Sequence, residues 1–244
     1  MSQNTYYIIC GIAIVFTFYF IFVITYAKNR KNKQLKKFVD IKPLNKNQKH
    51  ALVFGAILDH HRGEEFIEIQ PKSSIDLYVR GLKDSWEISN KENAIETIEN
   101  LIALNRSQEF DEYLVDFSSD IIKIQKKIAK GLNLDLQTIQ EIKSTFAWDI
   151  CRVVALIKWC FWCGYLSEQE TWDYIFKAVI VAQNKGTNWQ NYTISFLLGR
   201  TMQGFDLEDV IIESEQLLSQ KTLLGKQEHL TLYNKFPYKY NPTI

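Results

Sequence analysis

The chain has 244 residues, of which 46% are hydrophobic and 23% are charged, and its formal net charge is +1. This length suits one domain of ordinary size with some additional sequence. The hydrophobic content is sufficient for a packed core, which excludes a chain that is disordered throughout. Only ten glycines and four prolines are present, so a turn-rich all-β protein is not expected.

The first predicted element is a membrane-spanning helix. Residues 6–26 form an uncharged run that begins and ends with tyrosine. A helix rises ~1.5 Å per residue, so this run covers the ~30 Å hydrocarbon layer, and the tyrosines suit its two interfaces. A secretory signal peptide fits poorly, because no basic residue precedes the run and no small-residue cleavage site follows it. A buried soluble helix is the minor alternative, so residues 1–27 are interpreted as a transmembrane anchor.

Residues 28–45 are predicted to be a basic juxtamembrane linker. Its cations are Lys28, Arg30, Lys31, Lys33, Lys36 and Lys37, and no acidic residue precedes them. The positive-inside rule therefore predicts a single-pass membrane protein with the C-terminal domain in the cytoplasm. The same cations can contact anionic lipid headgroups, at ~1 kcal/mol each near the surface. A nucleic-acid patch is less favoured, because the position beside the span already explains the charges.

The rest of the chain is mildly acidic. Six of the 29 Lys and Arg lie before Phe38, so 23 remain against all 28 Asp and Glu, a net charge of −5. This balance argues against a nucleic-acid partner and favours a basic protein partner.

Beyond the linker, the apolar spacing predicts an all-helical cytosolic domain over residues 46–236, followed by a tail at 237–244. The fold class is therefore all-α, with a single N-terminal transmembrane helix before a domain of seven to nine helices. The predicted helices cover residues 45–61, 74–86, 89–105, 108–130, 135–163, 167–184, 188–203 and 207–220, with a last short helix before Pro237.

Local signals set the expected ends of these helices. Two segments, Ser89-x-x-Glu92 and Ser167-x-x-Glu170, have the spacing of a capping box. Single residues are expected to act at other ends, namely Gly63 and Gly131 as stops, Asp135 as the cap of the long central helix, and Asn188 and Asp206 as starts. The predicted helix 108–130 has an apolar face that includes Phe110, Leu114 and Phe117.

The segment 147–163, "AWDICRVVALIKWCFWC", is apolar on every side and is therefore predicted to be the buried centre of the domain. Asp149 and Arg152 are three residues apart and can meet on one face of it. A buried pair of this kind most simply fixes how the helix docks, although a pair that lines a cleft beside tryptophans could instead hold a ligand. Gly199 predicts a close approach between helices, and Arg200 is expected to reach a buried carboxylate.

Other residues that could carry chemistry have simpler explanations. Cys160 and Cys163 have C-x-x-C spacing, but no second pair exists, so they are interpreted as core residues rather than a zinc or redox site. His60 and His61 near Glu64 lack the order of a metal motif and suit the negative end of a helix. No glycine-rich phosphate loop or nucleophile elbow is present. No metal, cofactor or catalytic residue is therefore predicted.

These segments carry a family resemblance. The central helix, the hinge after it and the following "NWQNYTISFLLGR" resemble the bacterial domain of unknown function 1266, over about residues 78–204. The matching residues are Trp86, Trp148, Asp149, Arg152, Gly164, Tyr165, Trp172, Trp189, Gly199 and Arg200. The chain departs from the pattern at Asn188, where serine is more usual, and at the bulkier Trp162 and Cys163.

The resemblance implies an all-α domain and an immunity or accessory role beside toxin and secretion loci. It marks Trp148, Asp149, Arg152, Tyr165, Trp172, Trp189 and Arg200 as candidate binding residues.

Three functions follow as hypotheses. The first is a membrane-anchored cytosolic domain that binds a protein, in particular an immunity protein that neutralises a bacterial toxin. The second is an enzyme with an aromatic cleft around Asp149, Arg152 and Arg200. The third is a structural subunit of an inner-membrane assembly.

Overall fold

A computed structural model describes residues 3–39, 41–115, 118–219 and 232–241, and all regular structure within these ranges is helical. The all-α prediction is therefore confirmed. The helices are α1 Gln3–Leu35, α2 Lys46–Leu52, α3 Ala56–Arg62, α4 Ile75–Trp86, α5 Lys91–Ile102, α6 Asn105–Asp111, α7 Ser119–Leu132, α8 Leu136–Gln140, α9 Phe146–Trp162, α10 Glu168–Lys185, α11 Trp189–Met202, α12 Glu208–Ser219 and α13 Leu232–Lys235. Short 3-10 turns cover Lys36–Phe38, Val53–Gly55 and Glu112–Leu114.

Helix α1 extends well beyond the predicted span. Among the described helices it is long and apolar enough to cross a membrane, and its apolar side chains are exposed rather than buried in the domain. Its 33 residues correspond to ~50 Å, which exceeds the ~30 Å hydrocarbon layer. The basic segment expected to be a linker is consequently helical as far as Leu35.

The C-terminal end of α1 is attached to the domain. Arg30 pairs with Asp76 of α4 at 2.9 Å. The Gln34 side-chain oxygen accepts from the Ser74 hydroxyl at 2.9 Å and from the Ile75 backbone N–H at 3.1 Å, so it caps the start of α4. Phe38 is buried and packs edge-on against Phe161. Helix α1 and the domain therefore share one packed junction.

Helix α9 lies at the centre of the domain, as predicted. Fifteen of its 17 residues are buried, and α3, α5, α10 and α11 pack around it. Glycines allow the closest approaches: a side chain at Gly199 of α11 would place its Cβ 2.5 Å from the Cβ of Trp148. Gly55 meets Val154 in the same way, at 2.9 Å. The approach predicted at Gly199 is confirmed.

Several predicted helix ends are correct. Ser167 and Glu170 form the capping box at the start of α10, and Asn188 caps α11 by accepting from the Asn191 N–H. Gly63 ends α3 with a positive φ of 64°. The connection between α9 and α10 is the expected tight hinge, where Gly164 has a φ of 79°.

The prediction of one helix over 108–130 is wrong. The chain turns after α6 because the Asp111 carboxylate accepts from the Thr145 N–H at 2.7 Å, which fastens this segment to the start of α9. Ser118 then caps a new helix, α7. Phe117 lies outside the described residues, as do residues 242–244 of the tail.

Three single-residue signals also act differently from the predictions. Gly131 lies inside α7, where a Cβ would come within 2.1 Å of Ile211, so it serves close packing while Asn133 ends the helix. Asp135 precedes the short α8 without a side-chain cap, since the central helix begins only at Phe146. The start of α5 is capped by Asn90 and not by the predicted Ser89 box.

Candidate functional site

The Asp149–Arg152 pair forms as the spacing predicts and is closed off from solvent. Asp149 is fully buried, and one of its oxygens pairs with the Arg152 guanidinium. The other oxygen accepts from the backbone N–H and the hydroxyl of Ser107, both at 2.8 Å. Arg152 also donates to the Trp148 carbonyl at 3.3 Å. Every charged oxygen of the pair thus has a protein donor, which is the arrangement of a structural ion pair.

Aromatic rings cover the Arg152 guanidinium. It lies 4.6 Å from the centroid of the Trp148 ring and 5.6 Å from that of Trp86. Burial lowers the pKa of Arg152, and the neighbouring Asp149 carboxylate opposes that change. With 13% of its side chain exposed, Arg152 is held between rings and carboxylate rather than presented to a cleft.

Arg200 lies on the other helix that contacts Trp148. The prediction that it reaches a buried carboxylate is wrong, because its Nε donates to the Asp206 backbone carbonyl at 2.8 Å. Its Nη2 lies 3.4 Å from the His61 ring, and a carboxylate joins only through that histidine, whose Nδ1 is 2.8 Å from Glu213. This chain of contacts ties α3, α11 and α12 together.

The remaining candidate residues lie in other parts of the fold. Trp189 donates to the Phe236 carbonyl at 2.7 Å and stacks on Tyr233. Trp172 is buried on α10 beside a separate surface depression that includes Phe176. Tyr165 is half-buried at the hinge. The structure therefore brings together Trp148, Asp149, Arg152 and Arg200, and not the complete predicted set.

The cysteines and histidines also have structural surroundings. Cys160 is buried as predicted, and burial raises the pKa of both Cys160 and Cys163 to about 12, so their thiols are unreactive. His60 and His61 contact Gln216 and Glu213 of α12. Within the described residues no group of three His, Cys, Asp or Glu side chains is placed to hold a metal.

A second buried ion pair was not predicted. Lys158 of α9 and Asp59 of α3 are both completely buried, with Nζ 3.0 Å from the Asp59 Oδ2. Lys158 also donates to the Glu65 carbonyl at 3.2 Å, whereas the Asp59 Oδ1 has no donor among the described residues. Burial raises the pKa of Asp59 to about 7, against the opposing charge of Lys158. Of the two pairs, this one is therefore less completely hydrogen-bonded, and the charged form of its carboxylate is less favourable.

An open cleft lies at the end of α3, the helix that carries Asp59. It has a volume of about 320 Å³ and lies between the end of α3 and the start of α4, with Arg62, Glu64, Lys72, Leu77 and Tyr78 in its walls. A smaller pocket of about 90 Å³ continues it along α4 to Trp86 and Trp159. We call the two together the α4 cleft.

The charged groups of the α4 cleft are held in place by Trp159, the residue after Lys158. The Trp159 indole N–H donates to both Glu64 oxygens, at 3.1 and 3.2 Å. The Arg62 guanidinium lies 4.3 Å from the centre of the Trp159 ring and 3.5 Å from Glu64. A cation and an anion are thus fixed side by side at an opening large enough for one or two side chains of a partner. This arrangement is suited to recognition, and it contains no paired nucleophile and base.

Comparison with protein families gives one result. The model for the family described as "Protein of unknown function (DUF1266)" matches residues 81–237, which is well over half of the chain. The chain belongs to this family. The DUF1266 match starts inside α4 and runs through α13, so it extends beyond the resemblance recognised at 78–204 and leaves out α1, α2 and α3. Searches of curated proteins and of solved structures give no match.

The two ion pairs lie differently with respect to the DUF1266 match. Asp149, Arg152 and Ser107 all lie inside the matched range, whereas Asp59 and the Arg62–Glu64 wall of the α4 cleft lie before it. Residues 46–80 nevertheless belong to the same core, since Tyr192 donates to the Phe54 carbonyl and Trp162 to the Ile69 carbonyl. The α4 cleft is therefore built jointly by the family domain and the segment before it.

Proposed function

We propose that the protein is a membrane-anchored binding protein whose cytosolic domain recognises a protein partner at the α4 cleft. The observation that carries this proposal is the junction of α1 with α4 through Arg30–Asp76 and Gln34. A helix that leaves the span and docks on the domain holds the cleft at a fixed height and orientation beside the bilayer. Such a tether suits a protein that meets its partner at the membrane.

Charge supports a protein partner. The sequence after Lys37 carries a net charge of −5, which favours a basic partner. The cleft itself offers both Glu64 and the cations Arg62 and Lys72. A basic partner that presents apolar side chains and charges of both signs would therefore match the net negative charge of the domain and the residues that line the α4 cleft.

The role proposed for this binding is inhibition of a toxin at the bacterial inner membrane, with the domain in the cytoplasm. The cations that follow the span support that orientation, and an anchor would concentrate the inhibitor where a toxin enters. An enzyme centred on Asp149, Arg152 and Arg200 is less well supported, because their polar atoms bond to Ser107, Trp148 and Asp206.

Two matched double variants test the proposal in cells. Lys72→Glu with Leu77→Asp alters the cleft, where the lysine is 57% exposed and the leucine 54% exposed. Lys177→Glu with Ile180→Asp makes the same changes on α10, at residues that are 50% and 47% exposed. Both lysines pair with a surface glutamate, so the stability effects should be alike.

The host strain is deleted for the gene, complemented with each full-length variant and challenged with the toxin encoded beside it. Wild type and the α10 variant should protect the cells and retain the toxin in a pull-down, whereas the cleft variant should do neither. If deletion leaves the cells unharmed, the inhibitor role is wrong. If both variants protect equally, the partner does not bind at the α4 cleft.

A further inference from the structure

A second cleft lies between α1 and the start of α4. It shares Ser73 and Leu77 with the α4 cleft, so substitutions of its own lysines, and not of Leu77, distinguish the two clefts. It has a volume of about 490 Å³. Helix α1 contributes Tyr26, Lys28, Arg30 and Lys31 to its walls, and the α4 side contributes Asp76 and Leu77. We call it the anchor cleft.

The anchor cleft lies at the depth of the lipid headgroups. Tyr26 is the last residue of the uncharged run, and Lys31 is five residues further along the same helix. At ~1.5 Å per residue these positions are separated by ~7.5 Å along the axis, and the polar region of one leaflet is about 5–8 Å thick. With residues 6–26 in the hydrocarbon layer, the cleft opens where phosphate groups are found.

The charge of the anchor cleft is positive. Asp76 is compensated by Arg30 at 2.9 Å. Within the part of the chain that the structure describes, Lys28 and Lys31 take part in no ion pair, which leaves a net charge of +2 on the walls. Two uncompensated ammonium groups on one side of a cleft provide the donors and the charge that a phosphate group requires.

The cleft also has apolar side chains beside its cations. Leu77 is 54% exposed and lines the α4 side together with Ser73, Ser74 and Asp76, whereas Tyr26 and Ala27 line the cleft from α1, the helix that carries the lysines. An apolar side chain that is exposed beside the membrane gains free energy when a lipid chain covers it. A soluble phosphate would use only the cationic wall, whereas a phospholipid has both the phosphate and the acyl chains to fill the cleft.

We propose that the anchor cleft binds one anionic phospholipid, with its phosphate between Lys28 and Lys31 and its upper acyl chain against Leu77 and Tyr26. This site differs from general attraction of the basic segment to the bilayer, because only some of the cations line it. Lys36 and Lys37 are exposed on the same basic segment but lie outside the cleft. They therefore provide an internal control of equal charge.

Native mass spectrometry of the full-length protein tests the site. The protein is released from a neutral detergent after equilibration with equal amounts of phosphatidylglycerol and phosphatidylcholine. Wild type should retain one phosphatidylglycerol in preference to phosphatidylcholine. Lys28→Gln with Lys31→Gln should reduce that retention by about tenfold or more, and Lys36→Gln with Lys37→Gln by less than about twofold.

Two further measurements distinguish binding of a phospholipid from binding of a soluble phosphate. Leu77→Gln, which leaves every charge in place, should reduce retention severalfold because the acyl chain loses its wall. Millimolar glycerol phosphate should not displace the lipid. The proposal is overturned if both lysine variants lose the lipid equally, if the two lipids are retained equally, if Leu77→Gln has no effect, or if glycerol phosphate competes.

Discussion

Two buried ion pairs on the central helix differ in how they are satisfied. Asp149 and Arg152 are three residues apart, and both Asp149 oxygens have donors. Lys158 meets Asp59 from 99 residues away, and one Asp59 oxygen has no donor among the described residues. Arg152 of the first pair keeps 13% of its side chain exposed, whereas the side chains of the second pair are 1% and 0% exposed. The same kind of ion pair is therefore fully hydrogen-bonded in one place and leaves a buried carboxylate oxygen without a donor in the other.

The comparison has an energetic basis. Taking two charges out of water costs several kcal/mol per ion, and only additional hydrogen bonds offset that cost. Ser107 supplies two such bonds to Asp149. Asp59 receives none beyond Lys158, and burial raises its pKa against the opposing charge of Lys158. The two pairs should consequently respond differently to substitution and to pH.

The largest effect is expected for Asp149→Leu. The change removes the acceptor of the Arg152 guanidinium and of the Ser107 N–H, whereas the Ser107 hydroxyl can still donate to the Thr145 carbonyl at 3.0 Å. The free energy of unfolding should fall by about 3–5 kcal/mol. Urea unfolding of the full-length protein in detergent, followed by tryptophan fluorescence, measures it. Asp149→Asn keeps one acceptor and should cost less; equal losses in the two variants would argue against the hydrogen-bond explanation.

Lys158→Met should destabilise the protein in a pH-dependent way. In the wild type the Asp59 pKa rises from 3.8 to about 7, so its contribution to stability is fully present below pH 3.8 and is lost as the pH rises to about 7. Without Lys158 the folded pKa moves higher and the loss continues above pH 7. The deficit relative to wild type should therefore be larger at pH 9 than at pH 6, by about 1.4 kcal/mol per unit of additional pKa shift.

The matched control for this pH dependence is Asp149→Leu. Its loss in the free energy of unfolding is predicted to be the same at pH 6 and pH 9. The variant has no carboxylate left in the first pair whose protonation could change between these two pH values. A deficit for Lys158→Met that is independent of pH would show that Asp59 stays charged in the folded protein.

Replacing both residues of a pair should reveal a further difference between the two pairs. Asp59→Leu with Lys158→Met replaces a poorly satisfied pair by apolar groups and should change the free energy of unfolding by less than about 1–2 kcal/mol. Asp149→Leu with Arg152→Met should still cost about 1–3 kcal/mol, since the Ser107 N–H remains buried without an acceptor. Denaturant titrations of the four single and two double variants give both coupling energies. Equal costs for the two double variants would remove the distinction between the pairs.

The smallest effect is expected at the exposed pair that serves as a reference. The Arg30 and Asp76 side chains are 56% and 38% exposed. Arg30→Gln should therefore lower the free energy of unfolding by less than about 1 kcal/mol, and added salt should abolish the difference. A loss as large as that of Asp149→Leu would mean that the junction of α1 and α4 contributes more to folding than its exposure indicates.

The sequence alone was sufficient for the features that depend on local spacing. These features are the long apolar N-terminal helix, the all-α class, the buried central helix, the Asp149–Arg152 pair and the Ser167 capping box. The close approach at Gly199 could also be predicted, because glycine inside a helix often marks such contacts.

Features formed by distant segments could not be predicted in this way. Lys158 reads as one polar residue on an apolar helix, and only the fold shows that Asp59 lies opposite it. The break after α6 depends on Asp111, whose carboxylate binds the start of α9 some thirty residues later, and a local pattern cannot reveal such a contact. Gly131 looked like a stop signal because its packing partner, Ile211, belongs to another helix.

In the continuous helix that ends at Leu35, the number of residues determines both the rotation of the apolar run about the helix axis and its distance from the domain. Each residue of an α-helix turns the chain by about 100° and advances it by ~1.5 Å. Because Arg30 and Gln34 fasten the helix to α4, the number of residues between Tyr26 and Arg30 sets how the apolar run is rotated relative to the domain and how far it lies from the α4 cleft. One alanine inserted after Ala27 would turn the apolar run by about a quarter of a revolution relative to the domain. The length of this short segment therefore determines the relative orientation of the two parts of the protein.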